Sequence, residues 1–163
     1  MNAAATSNAI EGLTVLIADS NAYTRKLTRS MLVNLGVKSV YEAPDGVTAL
    51  DAIRSIGPDV MILNWDMPGL DGSEVMRIVR SPTVFPKPNL PVIMLAETGS
   101  RSLVRAALRL GVHELLVKPI SPKTLQQRLL GILRYPRPMV QAGKYYIPLP
   151  RRRVDRSEFT LAA

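Results

Sequence analysis

The sequence predicts an α/β fold in which five parallel strands, in the order 2-1-3-4-5, carry helices on both faces and are followed by a C-terminal extension. Short apolar runs alternate with helix-spaced patterns between residues 13 and 133, roughly one strand–helix unit every 20–25 residues. The runs are continuously apolar, as strands buried on both faces are. With 163 residues, the chain suits one domain with a little to spare.

Taken in order, Leu13–Ala18 (LTVLIA) reads as the first buried strand. Asn21–Leu35 follows with Leu27, Met31, Leu32 and Leu35 at helical spacing, stopped by Gly36. Val37–Tyr41 is a short β-branched run, and Gly46–Ile56 a helix ended by Gly57-Pro58. Val60–Leu63 is a strand, Ser73–Val79 an apolar helical stripe, and Ser81–Pro91, with four prolines, a loop. Val92–Leu95 is strand-like; Ser102–Leu110 is helical with Gly111 as its stop. Glu114–Val117 is the last strand, and Ser121-Pro122 supplies an N-cap and a first-turn proline for a helix reaching Leu133.

Composition excludes several functions. An apolar share of 47% supplies an ordinary core and excludes disorder throughout. The absence of cysteine removes disulfides, thiolate zinc sites and thiol catalysis. The single histidine, His113, excludes histidine-rich metal centres, and its place just before the fifth strand suggests a surface role. No apolar run approaches the ~18 residues of a membrane span. Residues 1–10 lack the basic and apolar segments of a secretory leader and read as a flexible N-terminus, so a cytoplasmic location is expected. A net charge of +8 first suggests an anionic partner, but residues 134–163 hold seven basic and two acidic residues. Only +3 belongs to residues 1–133.

In a doubly wound sheet, ligands meet the carboxyl ends of the strands. Those ends are Ala18-Asp19-Ser20, Asn64-Trp65-Asp66-Met67-Pro68, Ala96-Glu97-Thr98 and Lys118-Pro119. Together with LIADSNAYTRK (Leu16–Lys26), APDGVTAL (Ala43–Leu50), NWDMPGLDG (Asn64–Gly72) and LLVKPI (Leu115–Ile120), they resemble the receiver domains of bacterial two-component response regulators, the chemotaxis-regulator type, over residues 11–133. The resemblance implies a flavodoxin-like fold that accepts a phosphoryl group from a histidine kinase onto an aspartate after the third strand. It further implies Mg²⁺ held by acidic residues after the first strand, and a Thr or Ser and a Lys that contact the phosphoryl oxygens.

Carried over position by position, the family's lysine is Lys118 and one acidic residue is Asp19. The second acidic position is Ser20, the Thr/Ser position is Ala96, the aromatic switch position is Leu115, and the acceptor position is Asn64. A neutral amide oxygen is a poor nucleophile and forms no stable acyl phosphate. The carboxylate trio that attracts a dication falls from about −3 to −1, so Mg²⁺ binding is expected to be weak or absent. Asp66, two residues beyond Asn64, shares the pocket if the strand runs on, and is the alternative acceptor and a metal ligand with Asp19. Ser20 and Ala96 argue that Asn64 is the chain's own residue and no engineered block. Lys118 is expected to pair with Asp19 directly, and Lys118-Pro119 to be cis. Trp65 reads as packing beside the pocket. Arg101, Arg105 and Arg109 recur on one helix face, which in this family neighbours the common partner surface.

Residues 134–163 are too few for a usual output domain, and Pro136, Pro138, Pro148 and Pro150 forbid a continuous helix. Tyr145, Tyr146, Ile147 and Leu149 followed by Arg151, Arg152 and Arg153 suggest an extended arm that docks on a partner or a second copy, giving a homodimer. The expected function is a stand-alone, non-enzymatic response regulator that binds a histidine kinase or another regulator. Nucleic-acid binding through the basic tail is the alternative, weakened by the lack of a helix-turn-helix pattern.

Overall fold

The computed structural model describes residues 3–85 and 87–149. The order is α1 (Ala3–Glu11), β1 (Thr14–Ala18), α2 (Ala22–Asn34), β2 (Ser39–Ala43), α3 (Gly46–Ile56), β3 (Val60–Asn64), α4 (Gly72–Val79), β4 (Val92–Ala96), α5 (Arg101–Arg109), β5 (Glu114–Val117), α6 (Pro122–Arg134), β6 (Met139–Ala142) and β7 (Tyr145–Pro148). Strands β1–β5 form one parallel sheet in the order β2-β1-β3-β4-β5, as the pattern predicts.

Alternation along each strand divides the core into two layers. Leu16, Met61, Leu63 and Met94 face α3, α4 and α5, packing with Leu50, Ile53, Val75, Met76 and Ala107. Val15, Ile17, Ile62 and Ile93 face the other way, against Ile10 of α1, Leu32 of α2 and Leu125 and Leu129 of α6. Every residue of β3 and β4 is buried, which accounts for the unbroken apolar runs. The predicted punctuation recurs as caps. Asn21, Asp45, Asp71, Ser100 and Ser121 each accept a hydrogen bond from the first turn of the helix that follows.

Two expectations about the ends of the chain are corrected. The flexible lead of residues 1–10 becomes helix α1 from Ala3 onward, because Ile10 inserts into the layer beside Leu129 and is 1% exposed. The extended arm is instead a hairpin on the domain's own surface. Val140 pairs with Ile147 and Ala142 with Tyr145 around Gly143, whose φ of +64° suits the first central position of a two-residue turn. Pro138 and Pro148 stand at the strand ends, where a missing N–H costs least. Arg151, Arg152 and Arg153 lie outside the described residues.

Candidate functional site

Asp19, Asn64, Ala96 and Lys118 meet at the carboxyl ends of the four strands β1, β3, β4 and β5, because each stands at or just past its strand's last residue. Asp19 is 1% exposed. Its Oδ1 accepts from the Asn21 backbone N–H at 2.9 Å and from Asn64 Nδ2 at 3.5 Å. Its Oδ2 accepts from Thr24 Oγ1 at 2.6 Å and faces Lys118 Nζ at 3.8 Å. Both carboxylate oxygens are thus engaged by the chain's own donors. The expected Asp19–Lys118 pair is present, and the Lys118-Pro119 peptide is cis.

Asn64 donates its second amide proton to the Asp66 backbone oxygen at 2.8 Å. That bond corrects the expectation for Asp66. Strand β3 ends at Asn64, so alternation stops there; Asp66 contributes its carbonyl to the pocket while its residue is exposed. Ser20 is exposed, Ala96 is buried at the end of β4, and Leu115 is half-buried against the α3–α5 layer. Beside Ala96 an open cleft of about 410 Å³ is lined by Trp65, Asp66, Glu97 and Ser100.

Three participants escaped the sequence reading. Glu97 reaches over the pocket to Lys118 Nζ at 3.4 Å, giving the lysine two carboxylates. Thr24, in the first turn of α2, occupies Asp19 Oδ2, and Arg25 Nη1 donates to the Asp19 backbone oxygen at 2.7 Å while pairing with Glu42 at 3.0 Å. Thr24 stands five residues after Asp19, one helical turn past a capping Asn, and that spacing was the available signal. Glu97 carried none, since only the meeting of β4 and β5 brings it to the lysine.

His113 is the second correction at side-chain level. It is 8% exposed and not a surface residue, because its backbone N–H bonds the Val92 oxygen at 3.0 Å and turns the ring inward. Burial, then the charges of Arg80 and Arg137, depress its pKa to about 3.

The response regulator receiver domain model matches residues 15–130. The chain is 32% identical over 120 residues to chemotaxis protein CheY1 of Helicobacter pylori, a match covering 73% of this chain and 95% of that one. It is 29% identical over 119 residues to CheY-3 of Vibrio cholerae, covering 73% and 90%. Among solved structures, the Francisella response regulator 1452 receiver domain superposes with a TM-score of 0.68 at 28% identity, covering 76% of this chain and 98% of that one. Vibrio cholerae CheY4 superposes at 0.67 with 29% identity, covering 74% and 98%. Asp19, the β3 end, Lys118 and the sheet order therefore share one explanation: the chain belongs to the response regulator receiver family.

Proposed function

We propose that this receiver works without an aspartyl phosphate, as a non-enzymatic module that signals by binding a histidine kinase or another regulator. The observation that carries the reading is the state of Asn64, whose amide protons are spent on Asp19 and on the Asp66 carbonyl. An amide held in that way offers phosphorus no anionic oxygen. The donor set also does not fit Mg²⁺. The ion requires hard, anionic oxygens in near-octahedral array, whereas Asp19 Oδ1 and Oδ2 face an N–H, an amide, a hydroxyl and an ammonium. Lys118, balanced by Asp19 and Glu97, takes the place of the cation that would otherwise neutralise the pocket.

The partner surface is the α5–β5 face, where Val104, Leu108 and Val117 are exposed beside Arg101 and Arg105. Apolar side chains ringed by arginine suit a partner helix with acidic flanks. The likeness to chemotaxis proteins supports a partner from a signalling pathway of that kind, and the reading puts the encounter in the cytoplasm. The reading includes self-association through the C-terminal hairpin.

Trp65 is the only tryptophan and follows Asn64 directly, so its fluorescence reports on the pocket. With acetyl phosphate and Mg²⁺, the wild-type chain is expected to keep its emission and its mass. The Asn64→Asp, Ser20→Asp double variant is expected to quench with Mg²⁺ and gain an acid-stable, hydroxylamine-labile phosphoryl group. Hydroxylamine-labile phosphate on the wild type refutes the reading; its loss in Asp66→Ala then identifies Asp66 as the acceptor.

A further inference from the structure

At the opposite end of the sheet from Asp19, the hairpin closes over a cavity of about 620 Å³, and none of Asp19, Asn64, Ala96 and Lys118 lines it. The volume falls within the range of small-molecule sites. Its walls come from four places: the proline-rich loop before β4, His113 and Glu114 at the start of β5, the end of α6 with the linker that carries Arg137, and the hairpin itself, which supplies Met139 and Tyr146. The body alone therefore does not make the site.

Two kinds of wall meet there. Pro88, Pro91, Pro136 and Pro138 with the rings of Tyr135 and Tyr146 offer flat apolar faces, against which a planar ring packs well. The charged groups on the wall are Lys87, Glu114 and Arg137, whose guanidinium also donates to the His113 backbone oxygen. Glu114 is paired with Arg128 at 3.3 Å. Lys87 Nζ donates to the Pro58 oxygen at 3.0 Å, a neutral partner.

Behind the wall lies Arg80, which is 0% exposed. Its guanidinium donates to the Gly111 oxygen through Nε at 3.1 Å and Nη2 at 2.9 Å, to the Pro88 oxygen at 2.7 Å, and to His113 Nδ1 at 3.3 Å. Each of these partners is neutral. A buried cation held only by dipoles leaves a positive field at the cavity, carried there through Pro88 and His113, both of which line it.

His113 adds a donor. The Val92 N–H at 3.2 Å and Arg80 Nη2 both point at Nδ1, which must therefore carry the lone pair, so the ring proton resides on Nε2. The wall thus gathers cations, the His113 ring and flat apolar surfaces.

We propose that this cavity is a binding site for a small aromatic anion, its charge held by Lys87, Arg137 and His113 and its ring packed between Tyr146 and the proline faces. The ligand bridges the hairpin and the domain, so binding fastens the hairpin. The inference is independent of whether the receiver accepts phosphate.

The test is an NMR titration of the full ¹⁵N-labelled chain with phenyl phosphate, with benzyl alcohol and inorganic phosphate as separate probes. His113 is the only histidine, so its ring signals are unambiguous. Phenyl phosphate is expected to shift His113 and the Gly131 and Tyr146 amides saturably. Benzyl alcohol, lacking the charge, and inorganic phosphate, lacking the ring, are each expected to bind at least about tenfold more weakly. Lys87→Gln is expected to weaken phenyl phosphate by about fivefold or more, with Arg137→Gln as the second variant, each checked for folding by circular dichroism. Any one of three results overturns the proposal: no saturable shift at these residues, equal binding of benzyl alcohol, or shifts confined to Asp19 and Lys118.

Discussion

At the scale of single residues, burial decides what the titratable groups do. His113 sits neutral between Arg80 and Arg137, its folded pKa depressed to about 3 from 6.5. Between those values the unfolded chain binds a proton that the folded chain refuses, so stability falls as pH is lowered through that window. The slope approaches ~1.4 kcal/mol per pH unit once the unfolded histidine is fully charged. Asp45 and Asp71 are also held below their usual value of 3.8. Hydrogen bonds from Thr48 do this for Asp45; for Asp71, burial raises the value but Ser73, Glu74 and Arg77 together outweigh it. Their contribution is present above that value and lost only as pH falls below it. Urea unfolding between about pH 4.5 and pH 6.5 therefore isolates the histidine. His113→Asn is expected to flatten the slope there, and an unchanged slope assigns it to other groups.

At the scale of elements, glycine positions join parts that the chain order keeps apart. Gly111 follows α5 with φ +82°, and a Cβ there meets the Tyr146 backbone oxygen at 2.8 Å and Arg80 Nε at 3.0 Å. In the same place Tyr146 N–H donates to the Arg80 backbone oxygen at 3.0 Å. The hairpin is thus seated on the turns that end α4 and α5. A lone two-stranded hairpin is marginal in water, so this seat supplies its stability. Gly111→Ala is expected to cost about 1–3 kcal/mol and to speed amide exchange at Tyr146. Gly57→Ala serves as the control: φ is +63° there, yet nothing lies within 4 Å of the added carbon. It is expected to cost about 1 kcal/mol and leave Tyr146 protected. Equal exchange at Tyr146 in the two variants removes the seat from the explanation.

At the scale of the whole molecule, the added parts and the receiver pocket occupy opposite ends of the sheet. The β1–β5 units, their order and the meeting of Asp19, Asn64 and Lys118 were legible because each depends on local pattern: an apolar run, a cap, a residue at a strand's end. Arg80, His113 and the hairpin were not. Arg80 ends an ordinary amphipathic helix, and only Pro88 and Gly111, brought in by a loop and a turn, make it an interior residue. The four prolines of the arm argued for extended chain, yet two of them sit at hairpin ends where they do no harm. Asp66 depends on a strand end, a boundary that pattern does not fix: β3 stops at Asn64, short of the run that alternation to Asp66 requires. The proposed self-association uses the same hairpin. Exchange between two copies replaces the Tyr146–Arg80 bond within a chain by the same bond between chains, with Tyr135–Pro138 as the hinge. Truncation after Arg134 is expected to halve the mass seen by light scattering. An unaltered association state, allowing for the missing residues, rules the exchange out.

The hydrogen bonding around Asn64 has a consequence for the chemical ageing of the protein. An asparagine turns into aspartate when the next residue's backbone nitrogen attacks its side-chain carbonyl, and that conversion would put a carboxylate beside Asp19. Here the nitrogen belongs to Trp65 and donates to the Leu95 oxygen at 2.8 Å, while the Trp65 oxygen accepts from Gly72 N–H at 2.9 Å. The attacking atom is pinned in the sheet, and the amide it must reach is tied to Asp19 and Asp66. The fold that holds Asn64 at the end of β3 also protects it from drifting into an aspartate.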